Sequence, residues 1–132
     1  EGATATPFTR AGNNIAGELA MCKRYYERIA NTGSTYAPYG LGQAISGTSG
    51  NVPLSYTEKR VNPSVSISTV SLFGLTSSNG GVNALTSFSA TAMSKKGGLT
   101  TCGIAGGVTA GNAVLLASNG NSSVYIEIDA EL

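Results

Sequence analysis

Glu127, Asp129 and Glu131 alternate along one short stretch of the chain. Two carboxylates at a suitable separation can divide the acid and base roles of a glycosidase between them. They can also offer hard oxygen ligands to calcium. Here they alternate with Val124, Ile126, Ile128 and Ala130. That is the pattern of an amphipathic strand with its acids in solvent, and it is the simpler reading. Other catalytic material is scarce. The chain has no histidine, which removes His-assisted nucleophiles and most transition-metal sites. The glycines of Gly103–Gly111 are followed by neither Gly-Lys-Ser nor a clear helix, so no phosphate-cradling loop is present. No catalytic residue, metal or cofactor is expected.

Six tyrosines are a different resource. Exposed tyrosines stack on sugar rings and donate hydrogen bonds, and they serve subunit interfaces equally well. Tyr36, Tyr39 and Tyr56 are the candidate ligand contacts. For Tyr36 and Tyr39 an interface, a ligand contact and plain surface packing all stay open. Tyr26 is expected in the core. Cys22 and Cys102 are far apart and fit no metal-ligand spacing. Two free, buried thiols are favoured over a disulfide, because a thiol on an apolar face behaves as a small hydrophobe.

The elements that must position these residues begin with composition. The chain of 132 residues suits one domain. Hydrophobic residues make up 41% and charged residues 11%, against roughly 25% charged in an ordinary globular protein. Residues 61–94 and 97–126 carry no charged side chain. A surface made of Ser, Thr, Asn and Gly suits a protein that packs against its own copies or works outside a cell. The net charge of +1 argues against nucleic acid as the main partner. Lys23, Arg24 and Arg28 read as a solvated helix face beside Glu18 and Glu27. No apolar run reaches the roughly 18 residues of a membrane span, and no secretory leader is visible in residues 1–30.

Residues 1–13 read as an extended lead-in that continues from an upstream domain; residues 14–132 read as a single domain. Ile15, Leu19, Cys22, Tyr26 and Ile29 recur at helical spacing, which predicts one amphipathic helix over 14–29 with that face buried. Asn13 or Asn14 is its N-cap, and Asn31-Thr32-Gly33 its stop. Residues 34–51 read as loop with one short strand near Leu41–Ile45. Strands are expected over 52–60, 64–75 with a bulge near Thr69–Val70, and 82–94, followed by a Lys95–Gly98 turn whose lysines could guard a sheet edge. Residues 99–111 are ambiguous. A short strand over Ala113–Ala117, an Asn119-Gly120-Asn121 hairpin and a final alternating strand complete the chain. One helix followed by short strands predicts a mainly β fold, a jelly-roll-like β-sandwich with one N-terminal amphipathic helix. No repeat of period 20–50 is present, which argues against a β-helix.

Residues Gly17 to Glu27, Gly-Glu-Leu-Ala-Met-Cys-Lys-Arg-Tyr-Tyr-Glu, resemble a motif of C-terminal domains of bacteriophage tail fibres, tail spikes and other virion appendage proteins. In that family a Glu-Leu-Ala-x-Cys-x-Arg-Tyr-Tyr helix follows a segment like Ala5-Thr6-Pro7-Phe8-Thr9-Arg10. Lys59-Arg60-Val61-Asn62-Pro63-Ser64-Val65-Ser66 and the terminal Asp129-Ala130-Glu131-Leu132 match in the same order. The chain departs from the family at Lys59, where Met is common, and at Thr9, where a Glu is usual. The match brackets nearly the whole chain, although 75–120 agrees only in character. It implies a virion structural protein of tail or capsid, assembled in the bacterial cytoplasm beside other virion proteins. That reducing compartment agrees with free thiols.

The motif residues Glu18, Cys22, Arg24, Tyr26, Arg60 and Asp129 are expected to be structural. Arg24 and Arg60, as planar donors, are expected to pair with Glu18, Glu27 or the C-terminal carboxylates and tie helix and last strand into the sheet. The functional expectation is a homotrimer that binds a host-surface glycan as receptor. The alternatives are a purely structural trimerisation or attachment domain without ligand and, less favoured, an enzyme that degrades polysaccharide.

Overall fold

A computed structural model describes residues 14–31, 33–77 and 80–131. The expected lead-in therefore lies outside the described residues. One helix, α1 (Ile15–Lys23), precedes nine strands. Strands β1 (Tyr26–Ala30), β4 (Ser64–Ile67) and β9 (Tyr125–Asp129) form a three-stranded antiparallel sheet with β9 in the middle. The other six are β2 (Pro38–Ser46), β3 (Ser49–Ser55), β5 (Phe73–Thr76), β6 (Val82–Ser94), β7 (Gly97–Ile104) and β8 (Ala113–Ser118). They close into a barrel in the order β2-β3-β7-β6-β5-β8, with β8 pairing back onto β2. The expected mainly β class with one helix holds.

Closure removes every free edge from the six strands and leaves an interior that side chains can fill. Val52, Leu54, Phe73, Leu75, Cys102, Val114 and Leu116 fill it, and Ile126 and Ile128 of the small sheet belong to the same apolar cluster. Two buried hydroxyls are satisfied locally: Thr100 Oγ1 donates to the Val52 carbonyl at 2.8 Å, and Ser118 Oγ accepts from the Ala37 amide at 2.7 Å. A narrow barrel also needs close backbone approach. A Cβ at Gly42 would lie 2.0 Å from the Asn51 carbonyl oxygen, so only glycine lets β2 cross β3 there.

Several expectations are corrected. The helix ends at Lys23, not near residue 29, and buries none of its side chains. Ile15 is 66% exposed and Leu19 54%, Cys22 is exposed, and Tyr26 lies on a strand with its ring half in solvent. The competing force is β9. Pairing of Tyr26–Ala30 along one side of β9 satisfies that strand's backbone groups, and Tyr and Ile suit a half-buried pleated surface. Glu27 and Ile29 thereby turn inward. Asn14 does cap the helix, its Oδ1 accepting from the Gly17 amide at 2.7 Å.

The change of parity near Thr69–Val70 is not a bulge. There the chain leaves the small sheet, makes a 3-10 turn over Val70–Leu72 and enters the barrel at Phe73. The segment 34–51 is mostly strand, with a two-residue turn at Gly47-Thr48 joining β2 to β3. Residues 99–104 also belong to a strand. Asn119-Gly120-Asn121 is no hairpin, because β8 pairs in the barrel and β9 in the small sheet. Lys95-Lys96 joins two strands of the closed barrel and guards no edge.

Candidate functional site

No strand of the barrel contains a charged residue. The charges among the described residues fall instead in α1, the small sheet and the turns around 58–60 and 95–96. Three backbone bonds stitch these segments together. The Arg60 amide donates to the Arg24 carbonyl at 2.9 Å, and the Lys59 amide donates to the Lys95 carbonyl at 2.7 Å. The Ala130 amide donates to the Tyr25 carbonyl at 2.6 Å.

Lys59 is the centre of this pole. It is 1% exposed. Its Nζ donates to Glu27 Oε2 at 2.8 Å and to the Lys23 carbonyl at the end of α1, and it lies 5.7 Å from the centroid of the Tyr56 ring. The Thr57 amide also donates to Glu27 Oε2, at 3.0 Å. Burial works to raise the Glu27 pKa. The Lys59 hydrogen bond, the Thr57 amide and the Lys59 charge outweigh it and hold the carboxyl below its ordinary 4.5. Such a carboxylate stays ionised and paired at neutral pH. Its bonds to Lys59 and to the Thr57 amide anchor the 57–59 turn on β1.

The other motif residues surround this pair. Tyr26 Oη donates to Glu127 Oε1 at 2.7 Å. That bond, with some burial and the carboxylate's charge, raises the phenol above its ordinary 10.0. The Arg28 guanidinium stacks 3.3 Å from the Tyr125 ring centroid, and that of Arg60 lies 5.7 Å from Tyr25. Among the described residues the ion pairs are Lys59–Glu27 and Lys96–Glu58. Among the described residues Arg24 and Arg60 thus make none of the expected carboxylate pairs, and Lys59 pairs with Glu27 instead. Asp129 Oδ1 accepts from the Glu131 amide at 2.8 Å. Among the described residues no three His, Cys, Asp or Glu side chains converge to hold a metal.

Lys59, Glu27 and Arg28 were legible only as isolated charges. The usable signal was the rarity of charge: a Lys just before the charge-free run that starts at Val61, with Arg60 between, has few carboxylates to find.

The three candidate tyrosines separate. Tyr39 Oη donates to the Val124 carbonyl at 2.7 Å, and its ring meets Phe73 edge-on at 5.1 Å between centroids. Tyr56 Oη donates to the Ser94 carbonyl at 2.7 Å, and burial raises its pKa above 10.0. Both are tied down by the fold. Tyr36 alone is open, at 58% exposure. It borders a shallow depression of about 400 Å³ with Thr76, Gly80, Val82, Leu115 and Ala117. A second depression, of about 390 Å³, lies on the barrel wall between Leu41, Gln43, Asn51, Pro53 and Leu99. Comparison with protein-family models, with curated proteins and with solved structures found no match.

Proposed function

We propose that this domain is a non-enzymatic structural part of a phage virion appendage, assembled as a homotrimer through its barrel wall. The observation that carries this reading is the wall itself. Six strands present Ser, Thr, Asn, Gln and apolar side chains and no charge, with Leu41 68% exposed on β2. A monomeric surface normally keeps charge for solubility. Identical uncharged patches can bury one another under closed rotational symmetry. The small sheet and the barrel share one core, and we read them as the two layers of a jelly-roll-like sandwich with one layer rolled shut.

Light scattering at micromolar concentration tests the assembly, with the mass of three chains expected. A mass of one chain at every concentration overturns it. The same reading gives the host glycan a place to bind in the depression beside Tyr36, which an aromatic residue and Thr76 both line. A glycan array probed with the wild type and with Tyr36→Ala tests that part. Signals lost in the variant support a receptor site; a blank array favours the purely structural alternative.

A further inference from the structure

Ile15, Leu19 and Cys22 repeat at the 4-3 spacing of a coiled-coil seam, yet that stripe is exposed and no described residue covers it. A helix of nine residues is marginal in water unless its apolar face is covered. In heptad terms Leu19 occupies position a, Ile15 and Cys22 occupy d, Glu18 occupies g and Lys23 the following e. A g residue faces the e residue five places later on a parallel neighbour, where opposite charges attract. Glu18 and Lys23 stand in that relation, and neither side chain joins an ion pair found among the described residues. Leu at a with Ile at d favours three or four strands over two.

We propose that α1 packs in parallel against the α1 helices of further copies of this chain, with Ile15, Leu19 and Cys22 in the seam and Glu18 paired with Lys23 of the neighbour. This rests on the self-assembly proposed above and locates a second contact, separate from the barrel wall. The occupant is a second copy because the stripe carries its own complement: one helix supplies both the acid and the base that the pair requires. The barrel walls supply most of the area, and the short helix adds register and direction.

The seam brings Cys22 thiols of neighbouring copies together, while Cys102 is buried in the barrel with its pKa pushed up to about 11. Diamide, which takes up two protons and two electrons as the sulfur–sulfur bond forms, is therefore expected to link wild-type chains in pairs through Cys22. Cys22→Ser abolishes the product, and Leu19→Asp slows it by about tenfold or more, the equivalent of 1.4 kcal/mol of lost association. Glu18→Lys and Lys23→Glu each link poorly alone, and an equimolar mixture of the two recovers linked pairs. Leu19 is exposed in the single chain, so circular dichroism stays that of a folded domain in each variant. A wild-type trimer that diamide does not link at Cys22, or a mixture that recovers nothing, overturns the seam and leaves the trimer standing. A wild-type single-chain mass overturns both.

Discussion

The barrel and the charged pole solve the same problem in opposite ways. In the barrel, closure pairs the edge strands with each other, and apolar side chains fill the interior. No single polar contact decides its stability. At the pole, three chain segments meet over one buried ammonium group, and a few directed bonds hold them. Loss of one contact in the barrel leaves a cavity. Loss of one at the pole leaves a charge without a partner.

The largest effect is expected in the barrel. Phe73 is fully buried, and Phe73→Ala should lower the unfolding free energy by about 3–5 kcal/mol, measured by urea denaturation. A loss under about 1 kcal/mol would mean that the interior is not close-packed. The pole should respond to context more than to volume. Glu27→Leu leaves Lys59 buried with the Lys23 carbonyl and the Tyr56 ring but without its carboxylate, and should destabilise by about 3 kcal/mol. The double variant Glu27→Leu/Lys59→Met removes both charges and should return to within about 1 kcal/mol of the wild type, or exceed it. A double variant no better than the single one would show that the pole depends on polarity itself.

Acid should separate the two regions further. The folded pKa of Glu27 lies below its unfolded value near 4.5. Its contribution is therefore complete above that value and is lost as pH falls through the depressed one. Urea midpoints followed from pH 7 to pH 3 should show a steeper acid decline for the wild type than for Glu27→Gln. Equal slopes would place the pairing energy elsewhere. The smallest effect is expected at Leu19. A buried leucine would lose about 2–5 kcal/mol on truncation, but this one is exposed. At dilutions where chains are single, Leu19→Ala should change stability by less than about 0.5 kcal/mol, with a larger loss appearing only as the concentration rises.

The same contrast explains which parts of the fold were legible. Val124, Ile126, Ile128 and Ala130 alternate without interruption and are buried as that alternation requires, since a half-buried strand leaves a period of two. Strand β6 was readable for a similar reason, and β8 as a short apolar run over Ala113–Ala117. Strand β2 was legible only near Leu41–Ile45, inside its full span Pro38–Ser46, because Gly40 and Gly42 break the apolar pattern where the backbone must pass close to β3. The helical stripe was real as a pattern, but no local rule says whether the chain itself covers it. The switch of sheets at Val70–Leu72 depends on partners distant in sequence, so only its parity change was visible. Of the three candidate tyrosines, Tyr36 is the exposed one. Tyr39 and Tyr56 are tied to the Val124 and Ser94 carbonyls, which no sequence pattern announces because a hydroxyl's partner carbonyl is distant along the chain.

The middle position of β9 has a consequence for synthesis. Tyr26 pairs with Asp129 and Ser64 with the same residue, so neither β1 nor β4 has a sheet neighbour until residues 125–129 leave the ribosome. At about 5–20 residues per second, β1 waits several seconds for its partner. Pairings so distant in sequence are also slow to form once the chain is released. A chain cut short before β9 cannot make the small sheet at all. Completion of the small sheet thus waits on translation through β9, however early its other two strands are made.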